Sequence, residues 1–98
     1  MEKVTKVEWT DTARAALRNI FNFHVINSEQ SAKNIVNDII DTADSIVFSN
    51  QYQVDDINPN YRRMVVRHYK ILYKEHQNIV SIMNVVSTKD NPKKLKRL

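Results

Sequence analysis

Residues 61–86, YRRMVVRHYKILYKEHQNIVSIMNVV, decide how the rest of the chain is read. Five Val, three Ile and three Tyr, with neither Pro nor Gly among them, favour β-structure, because branched and aromatic side chains fill a pleated surface well. We read three strands in series, 61–67, 69–74 and 79–86, with Glu75-His76-Gln77-Asn78 as the polar turn before the last. Alternation places Arg63, Val65 and Arg67 on one face of the first strand and Met64 and Val66 on the other. In the second strand Tyr69, Ile71 and Tyr73 oppose Lys70, Leu72 and Lys74. The third is apolar on both faces, the pattern of a strand inside a covered sheet. Function is therefore sought on a sheet that presents cations and aromatics around an apolar middle.

Upstream, residues 3–9 (KVTKVEW) form a short strand in which Thr5, Val7 and Trp9 share a face. Thr10 or Asp11 then caps a helix over 11–26, with Ala13, Ala16, Leu17, Ile20, Phe21 and His24/Val25 at helical spacing. Asn27-Ser28 breaks it, and Ser28 caps a second helix over 28–49, with Glu29 favoured in its first turn by the helix dipole. Ala32, Ile35, Val36, Ile39, Ile40, Ala43, Ile46 and Val47 make one continuous stripe along it. So short a break between two amphipathic helices predicts an antiparallel helical hairpin. Residues 49–60 (SNQYQVDDINPN) read as a polar connecting loop, and 87–98 as a basic tail. The expected fold is a single α+β domain, β-α-α-β-β-β, with the helical hairpin packed on one face of a small, mostly antiparallel sheet.

At 98 residues the chain has one domain's worth of core, and without cysteine it has neither a disulfide framework nor thiolate metal sites. Glycine is absent too, which excludes Gly-rich phosphate loops and leaves Asn, Asp and His to supply any positive-φ turn positions. No apolar run is long enough to span a membrane, and no signal-peptide pattern opens the chain, so a cytoplasmic location is expected. Charge is segregated: residues 1–60 carry five Lys/Arg against nine Asp/Glu, and residues 61–98 carry ten against two. A basic C-terminal third of net +8 would attract nucleic acid or an acidic protein partner.

Three features together resemble the RelE/ParE toxins of type II toxin–antitoxin modules: the element order, the opening Val7-Glu8-Trp9-Thr10, and Tyr61-Arg62-Arg63-Met64-Val65-Val66 followed by Tyr69-Lys70-Ile71-Leu72-Tyr73. Residues 88–95 (TKDNPKKL) are also similar to the ending of one branch of that superfamily. The resemblance implies a small basic toxin held inactive by a cognate antitoxin. It also implies one of two mechanisms. ParE-like members poison DNA gyrase by binding; RelE-like members cleave messenger RNA on the ribosome without metal.

RNA cleavage needs a base for the 2′-hydroxyl, a cation for the growing phosphorane charge and an acid for the leaving oxygen. The candidates are Arg63 and Arg67 for charge, His68, Tyr69 or Tyr73 for proton transfer, and Lys89 beside the last strand. Each has a plainer reading: Arg63 pairing with an acidic residue of the second helix or the loop, His68 as a turn residue, Tyr69 and Tyr73 as packing. The long helical hairpin, and an ending in Lys-Arg-Leu without the tyrosine of several ribonuclease members, lean toward the gyrase-poisoning branch. No cofactor is expected, and His24, His68 and His76 are not spaced as metal ligands. Arg62, Arg63, Arg67, Lys93 and Lys94 are the expected contacts for the acidic antitoxin. An edge strand, at 3–9 or elsewhere along the sheet, or the second helix is a candidate surface for homodimer formation.

Overall fold

The computed structural model describes residues 3–89. The elements follow the expected order: β1 (Lys6–Trp9), α1 (Asp11–Val25), α2 (Glu29–Asp44), β2 (Arg62–Val66), β3 (Tyr69–His76) and β4 (Ile79–Ser87). The sheet runs β1-β4-β3-β2, with β1 parallel to β4 and the other pairs antiparallel. Met64, Ile71, Tyr73, Val80, Ile82 and Val85 from the sheet meet Ala13, Ile20, Ile35, Ile39 and Ala43 from the helices in one core.

Local chemistry fixes both helix starts. The Thr10 hydroxyl accepts from the Ala13 N–H and donates to the Ile82 carbonyl at 2.8 Å, so the cap of α1 is also its tether to β4. The Ser28 hydroxyl accepts from the Ser31 N–H at 3.1 Å and opens α2. Buried Ala32, Ile35, Ile39 and Ala43 confirm the apolar stripe, but α2 stops at Asp44 and does not reach residue 49. Beyond it, the Val47 and Phe48 N–H groups donate to the Gln51 side-chain oxygen, and the Val47 carbonyl accepts from the Val4 N–H at 2.8 Å. Ile46 is buried without being helical, and Val47 is about half exposed.

The strands differ from expectation at their ends. Lys3 forms an isolated bridge with Phe48, and β1 covers Lys6–Trp9 and not all of 3–9. The predicted four-residue turn shrinks to Gln77-Asn78, because Glu75 and His76 pair with Val80 and Ile79. Both turn residues have positive φ, 50° and 68°, as a two-residue hairpin of type I′ requires. The third positive φ, 55°, falls on Arg67 in the β2–β3 turn, outside the Asn, Asp and His expected to supply such positions. Pairing also slips between Leu72 and Tyr73, which face Asn84 and Ile82, leaving Met83 as an extra residue. That bulge lets Ile82 and Val85, three apart, both enter the main core, while Leu72 and Val86 form a second cluster with Ile57 and Tyr61.

The Asn78 Oδ1 is buried without a hydrogen-bond partner. Asn78→Gly removes that orphaned acceptor and suits the positive φ, so it is expected to stabilise the domain by up to about 1 kcal/mol, or roughly 4–8 °C in Tm. A lower Tm by calorimetry would contradict this account of the turn.

Candidate functional site

The face of the sheet away from the helices is covered by the 49–60 loop, which is more than the polar connector its composition suggests. Asp55, only 1% exposed, organises the cover. Its carboxylate accepts from the Lys70 ammonium at 2.7 Å and from the N–H groups of Asn58 at 2.8 Å and Ile57 at 3.2 Å. Arg63 approaches the same carboxylate at 3.6 Å and Asp56 at 3.7 Å, and donates to the Val54 carbonyl. The loop backbone also pairs with the sheet edge, through Asp55 N–H to Tyr61 and Arg63 N–H to Gln53. Burial alone would raise the Asp55 pKa; the Lys70 ammonium and the two N–H donors outweigh it and hold the carboxyl below its ordinary value.

The remaining cations of this region are also engaged. Arg62 donates to the Tyr52 carbonyl at 2.7 Å and lies 3.9 Å from Glu75, and the Lys74 ammonium sits 5.1 Å from the centre of the Tyr61 ring. Tyr73 is fully buried, and its hydroxyl donates to the Ser49 carbonyl at 3.0 Å. Burial pushes its phenol pKa up, so it stays a neutral donor inside the core. That placement withdraws Tyr73 from proton transfer at the surface, and Arg63 is committed to the loop.

Arg67, His68 and Lys89 come together elsewhere, around a cavity of about 510 Å³ that they line with Phe23, His24 and Ile35. Arg67 pairs with Asp38 of α2 through two contacts of 2.7 and 2.8 Å. The β2–β3 turn is tied to the exit of β4, since the His68 carbonyl accepts from both the N–H and the hydroxyl of Thr88. Across the cavity His24 Nε2 and the Tyr69 hydroxyl share a 2.7 Å hydrogen bond. Phe23, 69% exposed, stands between this cavity and a neighbouring one of about 540 Å³ lined by Ala16, Ile20, Tyr69, Val85 and Val86. The two make a groove along α1 with Arg67, His68 and Lys89 gathered at one end. Phe23 and this role of His24 were not singled out from the sequence. The readable signal was that Phe23 extends the 13-16-20 row of α1 by three residues, past the last buried position. Lys93 and Lys94 lie outside the described residues.

The sequence profile of the family described as "ParE toxin of type II toxin-antitoxin system, parDE" matches residues 7–92. The chain belongs to the ParE toxin family. Among solved structures it is similar to a chain titled "Chromosomal ParDE TA system from P. aeruginosa", with a TM-score of 0.72 and 18% identity over 84% of this chain and 94% of that one. At that identity the likeness speaks for the fold. Comparison with curated proteins finds no match. In this family member the sheet's outer face is filled by its own loop, while the groove beside α1 stays open.

Asp55 links this arrangement to pH. Its carboxyl is held below the ordinary 3.8, so the stability it contributes is complete above that value and is lost as pH falls through the lower folded-state pKa. Urea midpoints are expected to drop between about pH 5 and pH 2, and Asp55→Asn should flatten that drop while costing about 3 kcal/mol at neutral pH. Parallel pH profiles for the two proteins would show that Asp55 does not carry the acid sensitivity.

Proposed function

We propose that this ParE-family toxin stops growth by binding and poisoning DNA gyrase, and that a cognate antitoxin neutralises it by covering the groove along α1. The observation that carries the choice of mechanism is the internal commitment of two polar groups that RNA cleavage would call on, Arg63 and Tyr73. Arg63 is bound to Asp55 beside Lys70, and Tyr73 is buried against Ser49. A phosphorane needs donors that are preorganised but unspent. Toxicity through binding depends on contact area and tolerates this arrangement.

A second reading, ribosome-dependent cleavage of messenger RNA, is favoured by one observation, the convergence of Arg67, His68 and Lys89 on a single cavity. The antitoxin reading rests on charge and on apolar exposure. Residues 61–98 carry net +8, and Phe23 projects beside a groove lined by Ala16, Ile20 and Val85. An acidic segment that folds on this surface should associate more slowly as salt rises. Self-association through β1 would be confined to the short Lys6–Trp9 edge, because Val4 already donates to Val47.

Induced expression separates the mechanisms. Gyrase poisoning predicts DNA-damage signalling, intact messages and inhibited supercoiling with purified gyrase. Arg67→Ala, His68→Ala and Lys89→Ala should each weaken toxicity by graded amounts, none completely. Codon-phased cuts on translating ribosomes, lost by about a hundredfold or more in a folded Lys89→Ala protein, would transfer the function to the enzyme.

A further inference from the structure

We propose that the cleft between the last turn of α1 and the β2–β3 turn binds one nucleotide, its base against Phe23 and its 5′-phosphate among Arg67, His68 and Lys89. The cleft encloses about 510 Å³, within the range of small-molecule sites. Its lining includes the Phe23 ring, 69% exposed and perpendicular to the His24 imidazole at 5.1 Å between centroids. Exposed aromatic faces of this kind stack any base. The lining also holds the Lys89 ammonium, the His68 imidazole and the Arg67 guanidinium, which already gives two of its nitrogens to Asp38, and a terminal phosphate presents enough acceptor oxygens for the donors that remain. A single carboxylate would leave part of that set unused.

The cationic wall is built to hold position. Arg67 keeps a positive φ of 55° without being glycine, and Asp38 fixes its side chain from α2. Thr88 binds the His68 carbonyl twice, which locks the strand end carrying Ser87 and Lys89 to the same turn. Among the described residues no carboxylate pairs with His68 or Lys89. Asp38 neutralises Arg67 in part, so the site suits a monoester phosphate better than a polyphosphate.

The same chemistry is offered by a free nucleotide and by the 5′-phosphorylated end of a single strand, and the test has an arm for each. The full-length, isotope-labelled chain is titrated by NMR with adenosine 5′-monophosphate, a 5′-phosphorylated oligonucleotide, adenosine and inorganic phosphate. Saturable shifts are expected at Phe23, His24, His68 and Lys89 with one or both of the first two, and their pattern identifies the source. Lys89→Ala and Phe23→Ala should each weaken binding about tenfold with the amide spectrum otherwise preserved, Phe23→Trp should retain it, and Lys6→Ala should change nothing. Three outcomes overturn the proposal: no saturable shift, equal binding by inorganic phosphate (an adventitious ion only), or indifference to both substitutions. The assay contains neither gyrase nor antitoxin, so its failure leaves the toxin reading intact.

Discussion

The 2.7 Å contact between Asp55 and Lys70 is the constraint from which the outer half of this domain follows. Strand alternation on β3 turns Lys70 to the face that the loop covers, and a buried ammonium without a partner is strongly unfavourable. Asp55 meets it from the loop, and two loop N–H groups and Arg63 complete the arrangement. Such a pair adds little net stability over well-packed apolar residues, but breaking it leaves a charge stranded. Its main consequence here is registration. With Asp55 fixed, Ile57 and Tyr61 fall onto Leu72 and Val86, and the loop backbone pairs with the edge of β2.

That registration sets what the two faces of the sheet can do. On the loop side, apolar packing and internal ion pairing fill the surface where a sheet-borne active site would lie. On the helix side, α1 ends by reaching beyond the core: Ile20 is buried, yet Phe23, one turn later, is mostly exposed. The overhang opens the groove and brings His24 to Tyr69. A toxin that works by contact needs a rigid frame and an exposed apolar surface with charge at its margin. The domain supplies them on opposite sides of one sheet.

Much of this was legible in residue order. The α2 stripe, the Thr10 and Ser28 caps and the alternation of β2 and β3 follow from local periodicity, and the structure keeps them. Ile46 and Val47 misled because they continue the stripe in sequence while Gln51 and Val4 take their neighbouring backbone groups away from the helix. The Leu72/Tyr73 slip has no local signature, since an extra residue at Met83 shows only against its partner strand. Asp55 was hidden for a related reason. In a run of polar loop residues, nothing nearby says which carboxylate will meet a lysine fifteen positions on. Arg63 and Tyr73 had the right chemistry for a reaction, and only the three-dimensional pairing shows that it is already occupied.

A double-mutant cycle across Asp55→Ala and Lys70→Met tests most directly whether this pair holds the outer face together. Stability would be measured by chemical denaturation for the wild type, both single variants and the double variant. Each single change is expected to cost about 3 kcal/mol, because each leaves buried groups unpaired, and the double change far less than the sum, with a coupling of about 2 kcal/mol or more. Additive losses within about 0.5 kcal/mol would mean that the two residues act independently, and that something other than their contact fixes the loop on the sheet.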